Sequence, residues 1–430
     1  MKNKKETLLI LTILITICII IFNRDKLYEA KYTEPKDTLL AITINGEIST
    51  TFPTTNAYTG TVECTTGTGK VEWNGTKWVL TTNGITKGST KCNATFITKV
   101  PTFAETILAN NEVKTPITTP GAAISTASEA LLASTEDDYG TSYYFRGAVK
   151  NNYVQFANKC WRIVRVGGDG SVTLILHNDN TSNAANPCSS ANNSTNAAFA
   201  RYSGTTYISA FNTNYNDNAY VGFKYGTVGA GDYALTHANT NKSTILTNLE
   251  AWYEKNNLKN YEKVIADTVW CNDKTNVTDT TFNPYNYSNV NGLGYAKNVT
   301  YYGATQRLVG TSGSAGGTGP SLKCNGELSK INSKVGLITA DELALAGYAY
   351  GLQNSTTYLQ ENATDTYWWS LSPYFFYGAG ASVWYVIGSN GYFGGNYVFL
   401  TYGVRPSISL KSTTNVTGNG TSDSPFIIST

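Results

Sequence analysis

Residues Ser372–Pro406 read SPYFFYGAGASVWYVIGSNGYFGGNYVFLTYGVRP. They belong to a run of 39 residues, Thr366–Val404, that contains no Asp, Glu, Lys or Arg but holds fourteen aromatic residues. Glycines recur every few positions, which excludes a membrane-spanning helix in this run. The aromatic residues therefore either fill an unusual core or form a surface that contacts something outside the protein.

The overall composition excludes several classes of partner. The 430 residues are enough for two or three domains. There are 32 basic and 30 acidic residues, and charged residues make up only 14% of the chain. No basic field is present to bind nucleic acid, and no acidic field to attract cationic partners. Abundant Asn, Thr, Ser, Gly and Tyr are typical of an extracellular β-rich protein, although an AT-rich genome produces the same bias.

Residues 1–30 are predicted to form a cytoplasmic tip and a transmembrane signal-anchor. Three lysines in the first five residues precede the uncharged run Thr7–Phe22, and positive charges favour a cytoplasmic N-terminus. The run is short for a span, but flanking Lys and Arg side chains extend it by snorkelling. No Ala-x-Ala-like cleavage site follows. We expect a single-pass protein of the cell membrane with an extracellular C-terminal part; cleavage, or lipidation at Cys18, remains the alternative.

The cysteines predict disulfide bonds. Apart from Cys18 there are six, an even number in a chain expected to be exported. Local context favours the pairs Cys64–Cys92, Cys160–Cys188 and Cys271–Cys324. A zinc site is the rival interpretation, but there is no Cys-x-x-Cys pair and the chain has only two histidines. We therefore expect neither a metal nor another cofactor.

Residues 38–100 are predicted to form a small β-sandwich of immunoglobulin type. The segment KVEWNGTKWVL contains two alternating strands around Asn74-Gly75, a signal for a two-residue type I′ hairpin. Trp73 and Trp78 flank this turn and are expected to pair across it. The first predicted disulfide, Cys64–Cys92, would stabilise this module by a covalent crosslink.

Residues 101–136 have the composition of a Thr/Pro/Ala linker, with KTPITTPGAA in the middle. The linker is interrupted by a short helix predicted around Phe103–Asn110. The segment is therefore expected to connect two domains.

A large domain is predicted over residues 137–411. Its long polar passage, Asn178–Asn241, indicates a functional or irregular insertion. A helix is predicted after Ser243-Thr244 from apolar residues at helical spacing, and a second helix from the capping box Thr339-x-x-Glu342, ending near Gly347. The predicted strands at the start of the domain are Ser142–Phe145, Tyr153–Phe156, Trp161–Val166 and Val172–Leu176.

Several motifs resemble one protein group. The segments GLITADELALAG, YWWSLSP and VWYV, followed by GSNGYF and GVRPSISLK, are similar to those of poorly characterised bacterial surface proteins with a formylglycine-generating-enzyme-like, C-type-lectin fold. The segments DDYGTSYYFRGAVKNNYVQFANKCWRIVRV and VWCND are also similar. The resemblance covers about 137–411, and 412–430 resembles the closing strand of such chains. It implies an α+β fold: a C-type-lectin-like domain preceded by the immunoglobulin-like module and the transmembrane helix.

The same fold carries the variable proteins of diversity-generating retroelements, in which adenine-directed mutagenesis rewrites ligand-facing codons. Between Tyr374 and Tyr402, Trp384 is the only residue that a mutated AAY codon does not reach. An uncharged β-hairpin would also omit Lys and Glu. A diversified binding surface and a lectin-like binding surface without diversification both remain open.

The sequence does not support an enzyme of this fold. The related oxidase uses cysteines near its C-terminus, and this chain has none after Cys324. The Glu-Pro-Asn and Gln-Pro-Asp loops of calcium-dependent sugar binding are also absent. His177 and His237 lie in Asn-rich surroundings without a nucleophile elbow and are expected to be exposed loop residues.

Two acidic pairs are the remaining candidates for catalysis. Asp137-Asp138 and Asp341-Glu342 are adjacent in sequence, and adjacent acids usually face apart on a strand or helix. The second pair is better explained by the start of a helix, where acidic side chains are stabilised. We therefore expect that the protein is not an enzyme.

The resemblance assigns a structural role to part of the aromatic run. Arg405 is expected to pair with a buried carboxylate or with carbonyl oxygens. Strand alternation then places Tyr385 outward if Trp384 points inward. The residues expected to be structural are Trp368, Trp369, Trp384, Gly403, Arg405 and Pro406.

The other residues of the run are expected to form a ligand-binding face. Tyr is large, amphipathic and has few rotors, while Ser, Gly and Asn adapt around it. The rival interpretation is a mainly buried hairpin. The predicted ligand-binding residues are Tyr374, Phe375, Phe376, Tyr377, Tyr385, Ile387, Tyr392, Asn396, Tyr397, Phe399, Leu400 and Tyr402.

Together these features predict a membrane-anchored, adhesin- or receptor-like protein that recognises an extracellular protein or glycan, with no nucleic-acid partner. A structural envelope protein that uses the same face for self-association is the first alternative. An enzyme of the same fold is the second.

Overall fold

The computed structural model describes residues 39–86, 88–290, 293, 298–378 and 380–429. The chain divides into two compact units, which meet in sequence between Val100 and Pro101. The described chain is mostly β with a minority of helix, consistent with the expected β-rich α+β class. The predicted membrane anchor at residues 1–30 lies outside the described residues; within the described part, no helix is long and apolar enough to cross a membrane.

Among its described residues, the first unit contains six strands in two sheets. Four strands form a sheet in the order β2-β1-β6-β3, in which β1 and β6 run parallel, and β4 and β5 form a separate hairpin. Its strands are β1 Leu39–Ile44, β2 Glu47–Ser49, β3 Tyr58–Cys64, β4 Thr68–Trp73, β5 Trp78–Asn83 and β6 Lys91–Thr98. Its buried core contains Ile42, Phe52, Val71, Trp78, Leu80, Ala94 and Phe96.

The hairpin of this unit differs from the predicted two-residue turn. Trp73 pairs directly with Trp78, so the loop has four residues, 74–77. The Asn74 side-chain oxygen accepts hydrogen bonds from the backbone N–H groups of Thr76 and Lys77, at 3.1 and 3.0 Å, which closes the longer turn. The two tryptophan rings do meet across the hairpin, edge to face at 6.0 Å, as predicted.

The second unit contains five short helices and eighteen strands among its described residues. The helices are α1 Phe103–Asn110, α2 Tyr233–His237, α3 Thr244–Lys255, α4 Gly303–Leu308 and α5 Ala340–Ala346. The first strands are β7 Ala130–Asp137, β8 Gly140–Gly147, β9 Tyr153–Phe156, β10 Lys159–Val166, β11 Val172–Asn178, β12 Ile208–Ala210, β13 Lys224–Tyr225, β14 Asn241–Lys242 and β15 Thr268–Cys271. The remaining strands are β16 Thr300–Tyr301, β17 Lys330–Ser333, β18 Trp368–Tyr377, β19 Gly380–Val386, β20 Phe393–Tyr397, β21 Thr401–Gly403, β22 Ser407–Leu410, β23 Val416–Thr417 and β24 Phe426–Ile428.

Two larger sheets organise this unit. The first contains β22-β11-β10-β9-β24-β23, with β8 on β10 and β7 on β8. The second contains β12-β21-β18-β19-β20, with β16 also on β18. Both sheets contribute to one hydrophobic core. Five tryptophans are fully buried in this unit: Trp161, Trp252, Trp368, Trp369 and Trp384.

Residues 101–136, expected to be a linker, belong to the second unit instead. Strand β7 pairs with β8 along its whole length. Just before it, Glu129 forms an ion pair with Arg146 at 3.1 Å, and both side chains are completely buried. The short helix was predicted correctly as α1, which begins with a capping box between Thr102 and Glu105. Linker-like composition therefore did not prevent this segment from folding onto the domain.

Local sequence signals elsewhere were reliable. Helix α3 begins after Ser243, whose side chain accepts a hydrogen bond from the Leu246 N–H at 3.2 Å. Helix α5 has the predicted capping box between Thr339 and Glu342. The four strands predicted at the start of the large domain correspond to β8, β9, β10 and β11. The three disulfides join Cys64 to Cys92, Cys160 to Cys188 and Cys271 to Cys324, as predicted.

Candidate functional site

The aromatic run forms the antiparallel strands β18, β19 and β20, and both faces of this sheet are covered. On one face the ring of Trp384 lies 4.8 Å from that of Tyr374. On the other face Tyr385 contacts Tyr367 and Tyr402, each at 5.6 Å between ring centroids. Tyr385 is only 7% exposed. The expectation that Tyr385 points to solvent is therefore wrong, because a second layer of aromatic rings covers its face.

Glycines let aromatic rings lie directly on the sheet. Gly380 is paired with Tyr377, and a Cβ atom on Gly380 would stand 2.2 Å from the ring of Tyr397. Gly395 is paired with Trp384, and a Cβ atom there would stand 1.8 Å from the ring of Tyr374. The interleaving of Gly with Tyr in the sequence thus provides space for the rings.

Five aromatic side chains, in two groups of contacting rings that meet at Gly380, form a surface that we call the aromatic band. Tyr287 stacks on Tyr377 with ring centroids 4.0 Å apart and an angle of 12° between the planes. Phe399 contacts Tyr397 at 5.9 Å and Tyr215 at 4.4 Å. Tyr287 is half-buried, and the other four side chains are 38–42% exposed. The band consists of Tyr215, Tyr287, Tyr377, Tyr397 and Phe399.

Hydrogen-bonded tyrosines support the band from below. The Tyr374 hydroxyl donates to that of Tyr350 at 3.1 Å and also shares a hydrogen bond with Tyr285. Tyr285 in turn contacts Tyr287 in the band, at 5.8 Å. Burial raises the pKa of Tyr374 well above its usual value, so its hydroxyl remains neutral at physiological pH. The supporting layer is therefore uncharged and fixed by directional contacts.

A second aromatic cluster lies on the opposite face of the sheet. The Asn396 side chain donates a hydrogen bond to the Tyr402 hydroxyl at 2.9 Å. Tyr402 packs on Trp369 at 4.4 Å. Burial raises the pKa of Tyr402 to about 12. Of this cluster, Tyr367 is 36% exposed and Trp369 is fully buried, so the cluster is mainly core with one accessible edge.

The twelve predicted ligand-binding residues divide into three groups by exposure. The exposed residues are Tyr377, Tyr397 and Phe399. The half-buried residues are Phe375, Ile387, Tyr392, Asn396, Leu400 and Tyr402. The buried residues, for which the expected contact role is wrong, are Tyr374, Phe376 and Tyr385.

The physical reason for these corrections is cover from distant parts of the chain. Tyr374 lies beneath Tyr285 and Tyr350. Phe376, 1% exposed, belongs to the main hydrophobic core, and its strand packs against the 3-10 helix Asn218–Val221. Part of the hairpin is therefore buried, as the rival interpretation expected, and part of it is exposed at the surface.

All six residues expected to be structural are buried. The Arg405 guanidinium donates from Nε to the Leu176 carbonyl at 3.0 Å and from Nη1 to the Leu359 carbonyl. It also lies over the Trp368 ring at 4.9 Å. A Cβ atom on Gly403 would stand 2.5 Å from the Phe199 ring, which explains why a glycine occupies this position.

Sequence reasoning missed the residues that complete the band and its support. Tyr215, Tyr285, Tyr287 and Tyr350 come from other segments, and three of the four are flanked by asparagine on at least one side. Tyr215 falls in the long polar passage already identified as a functional or irregular insertion. The shared Asn–Tyr composition was the available signal, but it does not indicate which tyrosines meet.

Both histidines are buried, so the expectation of exposed loop histidines is wrong. His177 is fully enclosed, and its Nε2 lies 3.1 Å from the Asn362 side-chain amide. His237 packs edge to face against Tyr302 at 5.7 Å. Burial lowers the pKa of both rings, and that of His237 falls to about 3. Both are therefore neutral core residues at physiological pH.

Comparison with known proteins assigns neither a family nor a function to the chain. No family model matches the chain, and neither the curated proteins nor the solved structures contain a significant match. Among the described residues, no group of three or more His, Cys, Asp or Glu side chains is arranged to hold a metal ion. The functional case therefore rests on the geometry of the aromatic band.

Proposed function

We propose that this is a membrane-anchored extracellular binding protein whose C-type-lectin-like domain recognises a protein partner through the aromatic band. The observation that carries the proposal is the proximity of four exposed aromatic rings: Phe399 contacts Tyr215 and Tyr397, and Tyr377 is paired with Gly380, on which Tyr397 lies. No charged residue occurs in the run that supplies three of these rings.

The physical properties of the band suit protein recognition. Tyrosine and phenylalanine bury a large area per side chain and lose little rotamer entropy on binding. Stacking of Tyr287 on Tyr377, and of Tyr397 over Gly380, already restricts these rings before a partner arrives. Aromatic side chains are also enriched among the residues that contribute most to protein–protein affinity. A broad band of rings favours a protein surface over a single sugar, which needs a cluster of hydrogen-bonding groups.

The rest of the chain fits the same function. The N-terminal apolar run would anchor the protein, and the first unit would act as an immunoglobulin-like spacer. Three disulfides are typical of a protein that folds outside the reducing cytoplasm. In this proposal the second unit is presented away from the membrane, and no cofactor or catalytic step is required.

The test compares three versions of the full-length protein for affinity toward one partner. A protein retained by the immobilised wild type is identified, purified and titrated against each version. The band variant carries Tyr377→Ser, Tyr397→Ser and Phe399→Ser. The control is Ile427→Ser, which changes a side chain of similar exposure, 42%, on the other large sheet.

We expect the band variant to bind at least about 100-fold more weakly, since hot-spot aromatic residues each contribute roughly 2 kcal/mol or more. The control should bind within about twofold of the wild type. Equal affinity of the band variant and the wild type would contradict the proposal. A wild type that self-associates through the band and captures no other protein would instead support the envelope alternative.

A further inference from the structure

A second candidate site is a cleft of about 310 Å³ that shares no residue with the aromatic band. Its walls include the turn after β7, strand β15 and the start of α5. The disulfide Cys271–Cys324 lines the cleft, and the Cys324 N–H donates to Asp138 Oδ2 at 3.1 Å. The disulfide ties Cys324 to strand β15 and the hydrogen bond ties it to the turn after β7, so these lining segments are held together before any ligand binds.

Two arginines lie at the floor of the cleft, and each is held by two carboxylates. Arg165 donates from Nε to Glu342 at 2.9 Å and from Nη1 to Asp137 at 3.3 Å. Arg307 donates from Nε and Nη2 to Asp341, at 2.7 and 2.8 Å. The Arg307 Nη1 contacts the other carboxylate, that of Asp273, at 2.8 Å. These four carboxylate side chains are each at most 7% exposed.

The floor brings together two acidic pairs that are far apart in sequence. Asp137 and Glu342 meet through Arg165, although 205 positions separate them. Glu342 also serves as the capping-box residue of α5, as expected, whereas the neighbouring Asp341 pairs with Arg307. One acid of the first pair, Asp137, and both acids of the second pair therefore hold the arginines of the cleft.

The charges of the cleft compensate one another. Five carboxylates line it against four cationic side chains, which leaves one formal negative charge. A ligand with a full charge would meet groups of both signs, and breaking a buried ion pair is costly. The cleft therefore favours a ligand without net charge that can both donate and accept hydrogen bonds.

Two features of the cleft remain available to a ligand. The Nη2 group of Arg165 donates to no described residue. Tyr139, which also lines the cleft, is 64% exposed, and its ring offers an apolar face. Vicinal hydroxyl groups match alternating guanidinium and carboxylate groups, since each hydroxyl both donates and accepts. The volume lies at the lower end of the range of small-molecule sites, about 300–1,000 Å³.

We propose that this cleft binds a single uncharged sugar residue, with hydroxyl groups against Arg165 and its carboxylates and a ring face against Tyr139. No metal ion takes part. This inference is independent of the proposed function, because the two sites have no residue in common.

The test is saturation-transfer NMR and calorimetric titration of the purified full-length protein. The neutral probes are glucose, galactose, mannose and N-acetylglucosamine, and the charged probes are glucuronic acid and glucosamine. We expect at least one neutral sugar to bind saturably at millimolar concentration and more tightly than either charged probe. Tyr139→Ala should weaken that binding at least tenfold without lowering the thermal midpoint, because the side chain is mostly exposed.

The matched control is Leu235→Ala, which truncates an exposed side chain (58%) outside both the cleft and the aromatic band and should leave sugar binding unchanged. The proposal is overturned if no neutral sugar binds at millimolar concentration, or if a charged probe binds more tightly. It is also overturned if Tyr139→Ala binds the sugar as well as the wild type. Because the cleft and the band share no residue and are assayed with different ligands, failure at one site is distinguishable from failure at the other.

Discussion

Gly395 lies directly against Tyr374: a Cβ atom on this glycine would stand 1.8 Å from Cδ1 of the tyrosine ring. Tyr374 is only 4% exposed and contacts Tyr285 and Tyr350 from other segments, so it cannot move aside freely. The contact joins the sheet beneath the aromatic band to the tyrosine layer that supports the band. The smallest side chain at position 395 is therefore a structural requirement of the site.

The first prediction follows from this contact. Gly395→Ala should lower the free energy of unfolding by about 1–3 kcal/mol, the usual cost of overpacking a core. Gly231→Ala is the matched control, because a Cβ atom there would meet nothing within 4 Å. Chemical denaturation measures both variants. Equal stability of the Gly395→Ala variant and the wild type would show that Tyr374 is not held against the sheet.

A second prediction concerns pH. Burial, followed by the charge of Lys274, lowers the pKa of His237 to about 3, whereas the unfolded chain has a value near 6.5. Between these values the unfolded state binds more protons, so stability falls as pH falls. His237 contributes at most about 1.4 kcal/mol per pH unit to the pH dependence of the free energy of unfolding.

The measurement is the free energy of unfolding between pH 7.5 and pH 4. We expect His237→Gln to flatten this dependence relative to the wild type, while the contribution of His177 remains. An unchanged slope in the variant would mean that His237 is not a buried neutral ring.

A third prediction concerns the order in which the disulfides are reduced. Cys160 and Cys188 are at most 1% exposed, whereas Cys271 and Cys324 are half-buried and line an open cleft. Because a thiolate must reach a sulfur atom, mild reductant should open Cys271–Cys324 before Cys160–Cys188. Alkylation followed by mass spectrometry identifies the free cysteines. Reduction of Cys160–Cys188 first in the folded protein would contradict the described burial.

A fourth prediction concerns Arg405. Arg405→Lys loses the planar group that contacts two carbonyl oxygens and lies over Trp368. We expect the free energy of unfolding to fall by about 2–4 kcal/mol, since hydrogen bonds from charged groups each contribute roughly 1.5–3 kcal/mol. The exposed position Lys242→Arg is the control and should change stability by less than about 0.5 kcal/mol. A stable lysine variant would contradict the assigned role.

Signals that act over a few residues were readable from the sequence. The capping box at Thr339 and the strand Tyr153–Phe156 were predicted with their correct bounds, because caps and apolar alternation depend on near neighbours. The structure of residues 101–136 was not predictable in this way. This segment is held by the pairing of β7 with β8 and by the buried ion pair of Glu129 with Arg146. The composition of the segment does not indicate that it will pair with β8 or contact Arg146.

The candidate site was only partly readable for the same reason. The sequence identified Tyr377, Tyr397 and Phe399, which are exposed, from their uncharged surroundings. It also assigned Tyr374 to the surface, because strand alternation does not reveal that Tyr285 and Tyr350 cover that face. Where both faces of a sheet are covered, the exposure of each side chain depends on contacts with segments that are tens of residues away in sequence.

The most direct test of the central claim is site-specific photo-crosslinking from the aromatic band. The full-length protein carries p-benzoylphenylalanine in place of Tyr397 and, in a control, in place of Ile427, which has similar exposure on the other large sheet. The account predicts that the protein partner is crosslinked from position 397 and not from position 427. Crosslinking of the partner from position 427 alone would contradict it.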